Sequence, residues 1–341
     1  MKGIKIIKKN ANDVRKILIS NKQLCTKYKV KNDENYVYFP LITDYDKKII
    51  NDINDKYPIT ISEFEYDRAE YRATNFVDYL VDKIALEKLE EIRKSFDIIG
   101  DIVILEIPEE LEDDKILIGE AALKFTKRKS VYCKKSKVQG ITRTRQLEYL
   151  AGIDNLETIH KEFGLRFKLN PSTVYYSPRL ATERSRIVNQ VKDNEVILDF
   201  FAGIGSFTVS IAHKRDVVAY NIDINPEAIR YAEENIKLNK LKGTVIACLG
   251  DVRDVAVNLP QADRIIMNLP GTSRQFLPLA VDKLKSGGIL NYYEFSSDAD
   301  SVISHVREAG RDYELEILDI RQVRSQSPGV WHYGVDVKII K

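Results

Sequence analysis

The chain alternates short apolar runs with polar ones, and the period of that alternation changes along its length. GIKII reads as a strand, Val14, Ile17 and Leu18 share one side of a short helix, and YVYFP and YPITISEF read as further strands. Residues 1–68 therefore predict a small α/β module. From about Tyr71 to Leu169, a helix through Phe76, Tyr79, Leu80, Ile84 and Leu86 precedes IVILEI, an apolar run bounded by Gly100 and Pro108 that predicts a buried strand. A helix near Lys115–Thr126, two strands turning at Gly140 and a hairpin in TIHKEFGLRFKL turning near Gly164 complete a mixed α+β segment, 71–169. In 170–341 strand and helix alternate strictly. EVILDF leads into GIGSFTVSIAH and VVAYNID into PEAIRYAEENIKLN; TVIACLG, RIIMNLP and GGILNYYEF follow, and ELEILDIRQ with WHYGVDVKII predicts a closing hairpin. Such alternation predicts a doubly wound, mostly parallel, Rossmann-like sheet with helices on both faces. Ligands of these sheets bind at the carboxyl ends of the strands.

Composition narrows the classes. With 44% hydrophobic and 30% charged residues among 341, and a net charge of 53 − 51 = +2, the chain has material for a core and lacks the signature of disorder. No apolar run approaches the roughly 18 residues of a membrane span, and MKGIKIIKKNANDVRK is too interrupted by charge for a signal peptide, so a cytoplasmic protein is expected. Cys25, Cys133 and Cys248 are scattered, as are His160, His213, His305 and His332; neither a disulfide framework nor a metal site is expected. The near-zero net charge hides an asymmetry. Lys124 to Arg145 holds nine Lys/Arg in 22 residues without an acid, a candidate phosphate-binding surface. The acidic run Glu109, Glu110, Glu112, Asp113 and Asp114 just upstream supports the plainer reading, that the two stretches balance one another on a solvated surface. Tyr132 is either a base-stacking ring or a core-facing strand residue.

The chemistry gathers at the predicted carboxyl ends. Asp199 stands just ahead of the turn containing Gly203 and Gly205, where glycines let backbone approach a ligand. Asp223, 20 residues past Gly203, ends the second strand and suits the two hydroxyls of a ribose. Thr208 replaces the third glycine of the dinucleotide fingerprint, and a carboxylate at 199 would repel a pyrophosphate, so a cationic donor such as S-adenosylmethionine fits better. Asp251 suits an adenine amino group, and Asn268-Leu269-Pro270 places an amide with donor and acceptor at the mouth. Each residue alone is also compatible with a turn or helix cap.

DFFAGIGSF, NIDINPEAI and NLP, in this order and spacing, resemble motifs of class I S-adenosylmethionine-dependent RNA methyltransferases. TRTRQLEYLAG, TIHKEFG and YYSPRLATERSRI extend the resemblance, over about Gly100 to Tyr293, to the archaeal and eukaryotic tRNA (guanine(37)-N1)-methyltransferase family. The resemblance implies a class I methyltransferase fold, S-adenosylmethionine as cofactor and tRNA as partner, with the N-terminal module touching the outer corner of the folded tRNA and no obligatory protein partner, a monomer sufficing. It implies Arg145 at the guanine O6, where loss of the N1 proton places negative charge, and Glu183 as the base taking that proton. Tyr175 and Asn268 are implied at the target base, and Arg184, Asp199, Gly203, Gly205, Asp223, Ile224, Asp251, Val252 and Asn268 at the cofactor. Without the resemblance, Glu183, with Arg179 four residues before and Arg186 three after, reads as an intrahelical ion pair, and Arg145 as one more phosphate contact.

Leu269 and Gly271 stand where amino-group methyltransferases carry the first of two prolines and an aromatic, which disfavours exocyclic amine methylation, and no cysteine near Asn268 serves C5 methylation. Gly271-Thr272-Ser273-Arg274 carries no assigned role. The competing readings are a wyosine-pathway enzyme acting at the same tRNA position, by methyl or aminocarboxypropyl transfer, and a tRNA-binding protein with a vestigial methyltransferase fold.

Overall fold

The structure, a computed structural model, describes residues 1–68, 73–81, 83–136, 140 and 144–341. The chain forms two compact units, Met1–Thr74 and Asn75–Lys341.

The first unit runs β1 (Lys2–Ile7), α1 (Lys8–Ser20), β2 (Lys31–Asn32), β3 (Tyr36–Pro40), α2 (Lys47–Lys56) and β4 (Thr60–Glu63). Its sheet, β2-β3-β1-β4, is antiparallel. The period-two alternation of β1 sends Ile4 and Ile6 to one face, where Val14 and Leu18 of α1 and Ile50 and Ile53 of α2 close a small core. Asp46 starts α2 by accepting a hydrogen bond from the Lys48 amide.

In the second unit the helix expected through Phe76 to Leu86 is a single 3-10 turn, Phe76–Tyr79, followed by α3 (Leu86–Glu91). Phe76, Val77, Leu80 and Ile84 are buried while Leu86 is exposed, so the apolar spacing marks a folded corner rather than one helical stripe. The apolar run IVILEI forms the buried strand β6 (Ile102–Leu105), as expected, and Gly100 (φ +57°) turns the chain into it from a short antiparallel partner, β5 (Asp97–Ile99). Next come α4 (Lys115–Thr126), as the pattern predicts, β7 (Ser130–Lys134) and β8 (Leu147–Gly152). Much of the segment joining β7 to β8, 137–139 and 141–143, lies outside the described residues; Gly140 itself, where a turn is expected, takes a φ of +72°. The sheet β5-β6-β7-β8 is mixed, its β6/β7 pair parallel. A separate hairpin, β9 (Thr158–Glu162) and β10 (Leu165–Leu169), turns at Phe163 and Gly164, both at positive φ.

The alternating region supplies α5 (Ala181–Gln190), β11 (Val196–Asp199), α6 (Ser206–Lys214), β12 (Val218–Asp223), α7 (Pro226–Leu238) and β13 (Thr244–Leu249). It continues through α8 (Val252–Val255), β14 (Ala262–Met267), α9 (Leu277–Lys283), β15 (Leu284–Ser296), α10 (Ala299–Ala309), β16 (Glu314–Ser327) and β17 (Val330–Ile340). The sheet order is β13-β12-β11-β14-β15-β17-β16, parallel from β13 through β15, with β17 antiparallel to both neighbours. Strand order reverses between β11 and β14, which opens a crevice at their carboxyl ends.

The segments 71–169 and 170–341 separated by pattern share a core from residue 75 onward: Ile99, Ile102 and Tyr132 pack with Phe167, Tyr176, Ile204 and Tyr231. Tyr132 is therefore a core residue rather than a stacking platform, its hydroxyl donating to Asp154 at 3.0 Å. No helix among the described residues is long and apolar enough to cross a membrane.

Candidate active site

A cleft of about 1260 Å³ opens at the crevice between β11 and β14. Strand ends, the loop after β14, the start of α5 and the basic segment between β7 and β8 all contribute to its wall. Arg145, Tyr175, Arg184, Gly203, Asp223, Ile224, Asp251, Val252 and Asn268 line it, drawing together residues spread over more than a hundred positions.

One half is acidic and glycine-turned. Gly203 and Gly205 take φ of +58° and +83°, and a Cβ at Gly205 would stand 3.2 Å from Asn221 Oδ1, so the turn needs glycine there. The Gly203 amide donates to Asp223 Oδ2 at 2.7 Å and the Asn225 amide to Asp223 Oδ1 at 2.9 Å, which fixes that carboxylate beside the turn. Asp199, at the end of β11, is fully buried next to the lining residue Phe200. Its Oδ2 has no hydrogen-bond partner, and burial pushes its carboxyl from near 3.8 up to about 8. An orphaned buried acceptor beside a glycine turn fits a cationic ligand group, which would satisfy the oxygen and stabilise its charge. Asp251 caps α8 by accepting from the Arg253 amide, and the Arg253 guanidinium holds its carboxyl below the ordinary range. Ile224, exposed, and Val252, buried, give this half apolar surface.

The facing half is different in sign. The Asn268 amide makes no hydrogen bond with any described residue, and neither does the guanidinium of Arg145, which also has no ion pair among them. Burial lowers the Arg145 guanidinium from its ordinary value, against Tyr175 and Asp97, which raise it. Lys134 and Lys135 also line the cleft but are paired, Lys134 with Glu106 and Lys135 with Glu112 and Glu148. Glu112 belongs to the upstream acidic run, so the balancing reading of the two charged stretches holds for Lys135.

Four expected residues are placed otherwise: Asp199 and Gly205 lie behind the wall rather than in it, Asp199 fully buried, and Arg184 and Glu183 are committed to other partners. Arg184 reaches the wall, yet its guanidinium is committed to a buried pair with Glu162, Nε to Oε1 at 2.8 Å and Nη2 to Oε2 at 2.5 Å, and also donates to Ser177 O. It fastens α5 to β9. Glu183 does not line the cleft. Its Oε1 accepts from Arg186 at 2.7 Å, Arg321 at 2.6 Å and the Tyr293 hydroxyl at 2.5 Å, and Asp336 pairs with the same two arginines. Two carboxylates and two guanidiniums thus balance under the sheet. Arg186 is the helical partner anticipated from spacing; Arg179 instead pairs with Asp97.

Sequence reasoning missed the rest of the facing wall. The loop after β14 is anchored by buried Ser273, whose hydroxyl donates to Tyr293 O at 2.9 Å, and by the Phe295 amide donating to Pro270 O at 3.1 Å. These bonds account for Ser273 in a tetrapeptide that carried no role. Phe295, Arg324, Gln326 and Ser327 also line the cleft from β15 and β16. Phe295 ends the strand GGILNYYEF and the other three lie between the two runs of the closing hairpin, positions that carry no ligand signal in the sequence.

Residues 158–318 match the TRM5/TYW2 methyltransferase domain, residues 76–155 the TYW2 N-terminal domain, and residues 3–49 the tRNA methyltransferase 5 N-terminal domain. The tRNA (guanine(37)-N(1))-methyltransferase Trm5b of Methanocaldococcus jannaschii is 38% identical, the match covering 99% of this chain and 98% of that one. The tRNA(Phe) (4-demethylwyosine(37)-C(7)) aminocarboxypropyltransferase of the same organism is 36% identical over 70% of this chain and 96% of its own. A solved complex of aTrm5 with tRNALeu superposes with a TM-score of 0.76 at 37% identity, covering all of both chains. The chain belongs to the archaeal and eukaryotic tRNA (guanine(37)-N1)-methyltransferase family.

Proposed function

We propose that this protein transfers the methyl group of S-adenosylmethionine to N1 of guanine 37 in tRNA. The observation that carries the reading is the joining, in one cleft, of an acidic glycine-turned half to a half that offers an uncommitted guanidinium, Arg145, and an uncommitted amide, Asn268.

When bound, S-adenosylmethionine supplies an electrophilic methyl group on a sulfonium. Asp223 would hold the ribose, Asp251 with Ile224 and Val252 the adenine, and Asp199 the charge of the ammonium end. Asn268 and Tyr175 orient the extruded guanine, which must leave its stack to enter the cleft. Arg145 offsets the charge that deprotonation drives onto O6, from a site where burial strengthens the interaction. The N1 proton falls to Glu183 once its carboxylate exchanges the Arg321 and Tyr293 contacts for the substrate; Leu180 and Arg184 of the same chain segment already reach the wall. The N-terminal unit and the basic segment hold the tRNA by shape and phosphate charge, in the cytoplasm.

The TYW2-like match at 76–155 favours a second reading, transfer of the aminocarboxypropyl group. The match at 3–49 favours the first. S-adenosylmethionine labelled in the methyl group, or separately in the amino-acid chain, decides between them on transcripts carrying G or A at position 37. Methyl label on the G37 transcript alone is expected. Equal labelling of both transcripts, or transfer of the amino-acid label, overturns the proposal. Glu183→Gln should lower turnover with cofactor affinity near normal; full activity would remove Glu183 as the base.

A further inference from the structure

We propose that Arg324, near the tip of the β16–β17 hairpin, is a further tRNA contact that grips a backbone phosphate flanking the extruded nucleotide. This rests on the functional reading above and extends it to a residue outside the family motifs.

Among the described residues, four arginines line the cleft. Arg184 is paired with Glu162 and Arg253 with Asp251, leaving Arg145 and Arg324. Arg324 makes no ion pair with any described residue, and its Nε is buried without a hydrogen-bond partner. A guanidinium N–H withdrawn from water without an acceptor is a costly arrangement unless a ligand supplies one.

Its position is built. Arg324 pairs across the ladder with His332, and His332 pairs in turn with Phe295. The three form one row across three strands, about 10 Å from end to end, and the Phe295 amide bonds to Pro270, two residues past Asn268. Arg324 and Phe295 therefore reach the same cleft from one face of the sheet. Register irregularities fall on both sides of Arg324, between Gln322 and Arg324 and between Ser325 and Ser327. Paired irregularities of this kind re-aim a side chain at the edge of a sheet.

Charge selects the ligand. Three carboxylates line the cleft among the described residues: Asp223 and Asp251 sit at the ends of β12 and β13, where the cationic cofactor belongs, and Glu106 is paired with Lys134 and Arg93. Arg324 stands on the opposite edge strand with Gln326 and Ser327 and makes no ion pair with any described carboxylate. An unpaired guanidinium fork there suits a phosphodiester, which it can hold through two parallel hydrogen bonds.

The test uses the full chain as wild type, Arg324→Gln and Arg324→Lys, measuring binding of an unmodified tRNA transcript across a salt series and, separately, of S-adenosylmethionine. Arg324→Gln should weaken tRNA binding roughly tenfold near 0.1 M salt and reduce the slope of log Kd against log salt by about 0.7, the loss of one phosphate contact on a single strand. Cofactor affinity should not change. Arg324→Lys should keep the slope and lose a few-fold in affinity with the fork; it carries the test if thermal melts show that the glutamine variant does not fold. Wild-type tRNA affinity and slope in Arg324→Gln overturn the inference while leaving G37 methylation by the wild type intact. A shift in cofactor affinity alone overturns it too, assigning the guanidinium to the cofactor carboxylate. Absence of salt-dependent tRNA binding by the wild type overturns the functional reading and the inference with it.

Discussion

Asp199 is the residue whose ionisation the fold changes most usefully. Burial raises its carboxyl from near 3.8 to about 8, so between those values the folded cofactor-free protein keeps a proton that the unfolded chain has released. The stability from this group is complete below about pH 4 and is lost as pH rises through about 8. Asp199→Asn should flatten that part of the melting-temperature profile; an unchanged profile would show that Asp199 does not titrate this way. A cation paired with the ionised carboxylate releases the proton, so affinity for S-adenosylmethionine should rise with pH up to about 8 in the wild type and lose that dependence in the variant. Arg145→Ala should reduce turnover about 10²–10³-fold, the scale of one lost charge-stabilising donor, while cofactor affinity measured by calorimetry stays near normal. Both residues were legible in the chain, Asp199 from its place before a glycine turn and Arg145 from its motif. The orphaned oxygen and the missing ion-pair partner were not, because satisfaction of a polar atom depends on every residue that folds around it.

At the scale of elements, α5 is held from two sides. Arg184 fastens it to β9 through Glu162, and Glu183 and Arg186 tie it to β16 and β17 through Arg321 and Asp336. Removing one member of a buried, balanced cluster leaves a charge uncompensated, so Arg321→Ala should cost about 3–5 kcal/mol in a denaturant titration. In a double-mutant cycle, Arg321→Ala should cost much less in a Glu183→Gln background; additive losses would show that the two are not coupled. The helical pair Glu183–Arg186 was visible at spacing three, whereas Arg321 lies 138 residues from Glu183 and no local period announces it. The same limit explains the corner at Phe76 to Leu86. Spacing suggested a helix, but which apolar residues are buried was decided by the packing of that corner beside α4.

For the whole molecule, the division of charge across the cleft predicts two kinds of binding. Affinity for tRNA should fall steeply with salt because phosphate contacts release counterions. Affinity for S-adenosylmethionine, held by buried and half-buried groups, should change far less over the same range. Equal salt slopes for the two ligands, in parallel titrations, would contradict the assignment of the acidic half to the cofactor and the cationic half to the tRNA.

By itself the sequence determined the alternating sheet, the glycine turn, and the acids and amide at the strand ends. These are local consequences of hydrophobic period and of residues that follow a strand directly, and the motifs they form sufficed to suggest the family. Tertiary structure alone decided which charges are used up and which remain for a ligand. It committed Arg184 and Glu183 to buried partners, left Arg145 and Asn268 without a partner among the described residues, and brought Arg324 from the last hairpin to the cleft. Ion pairing and burial are set by neighbours far apart in the chain, and a one-dimensional pattern does not carry those distances.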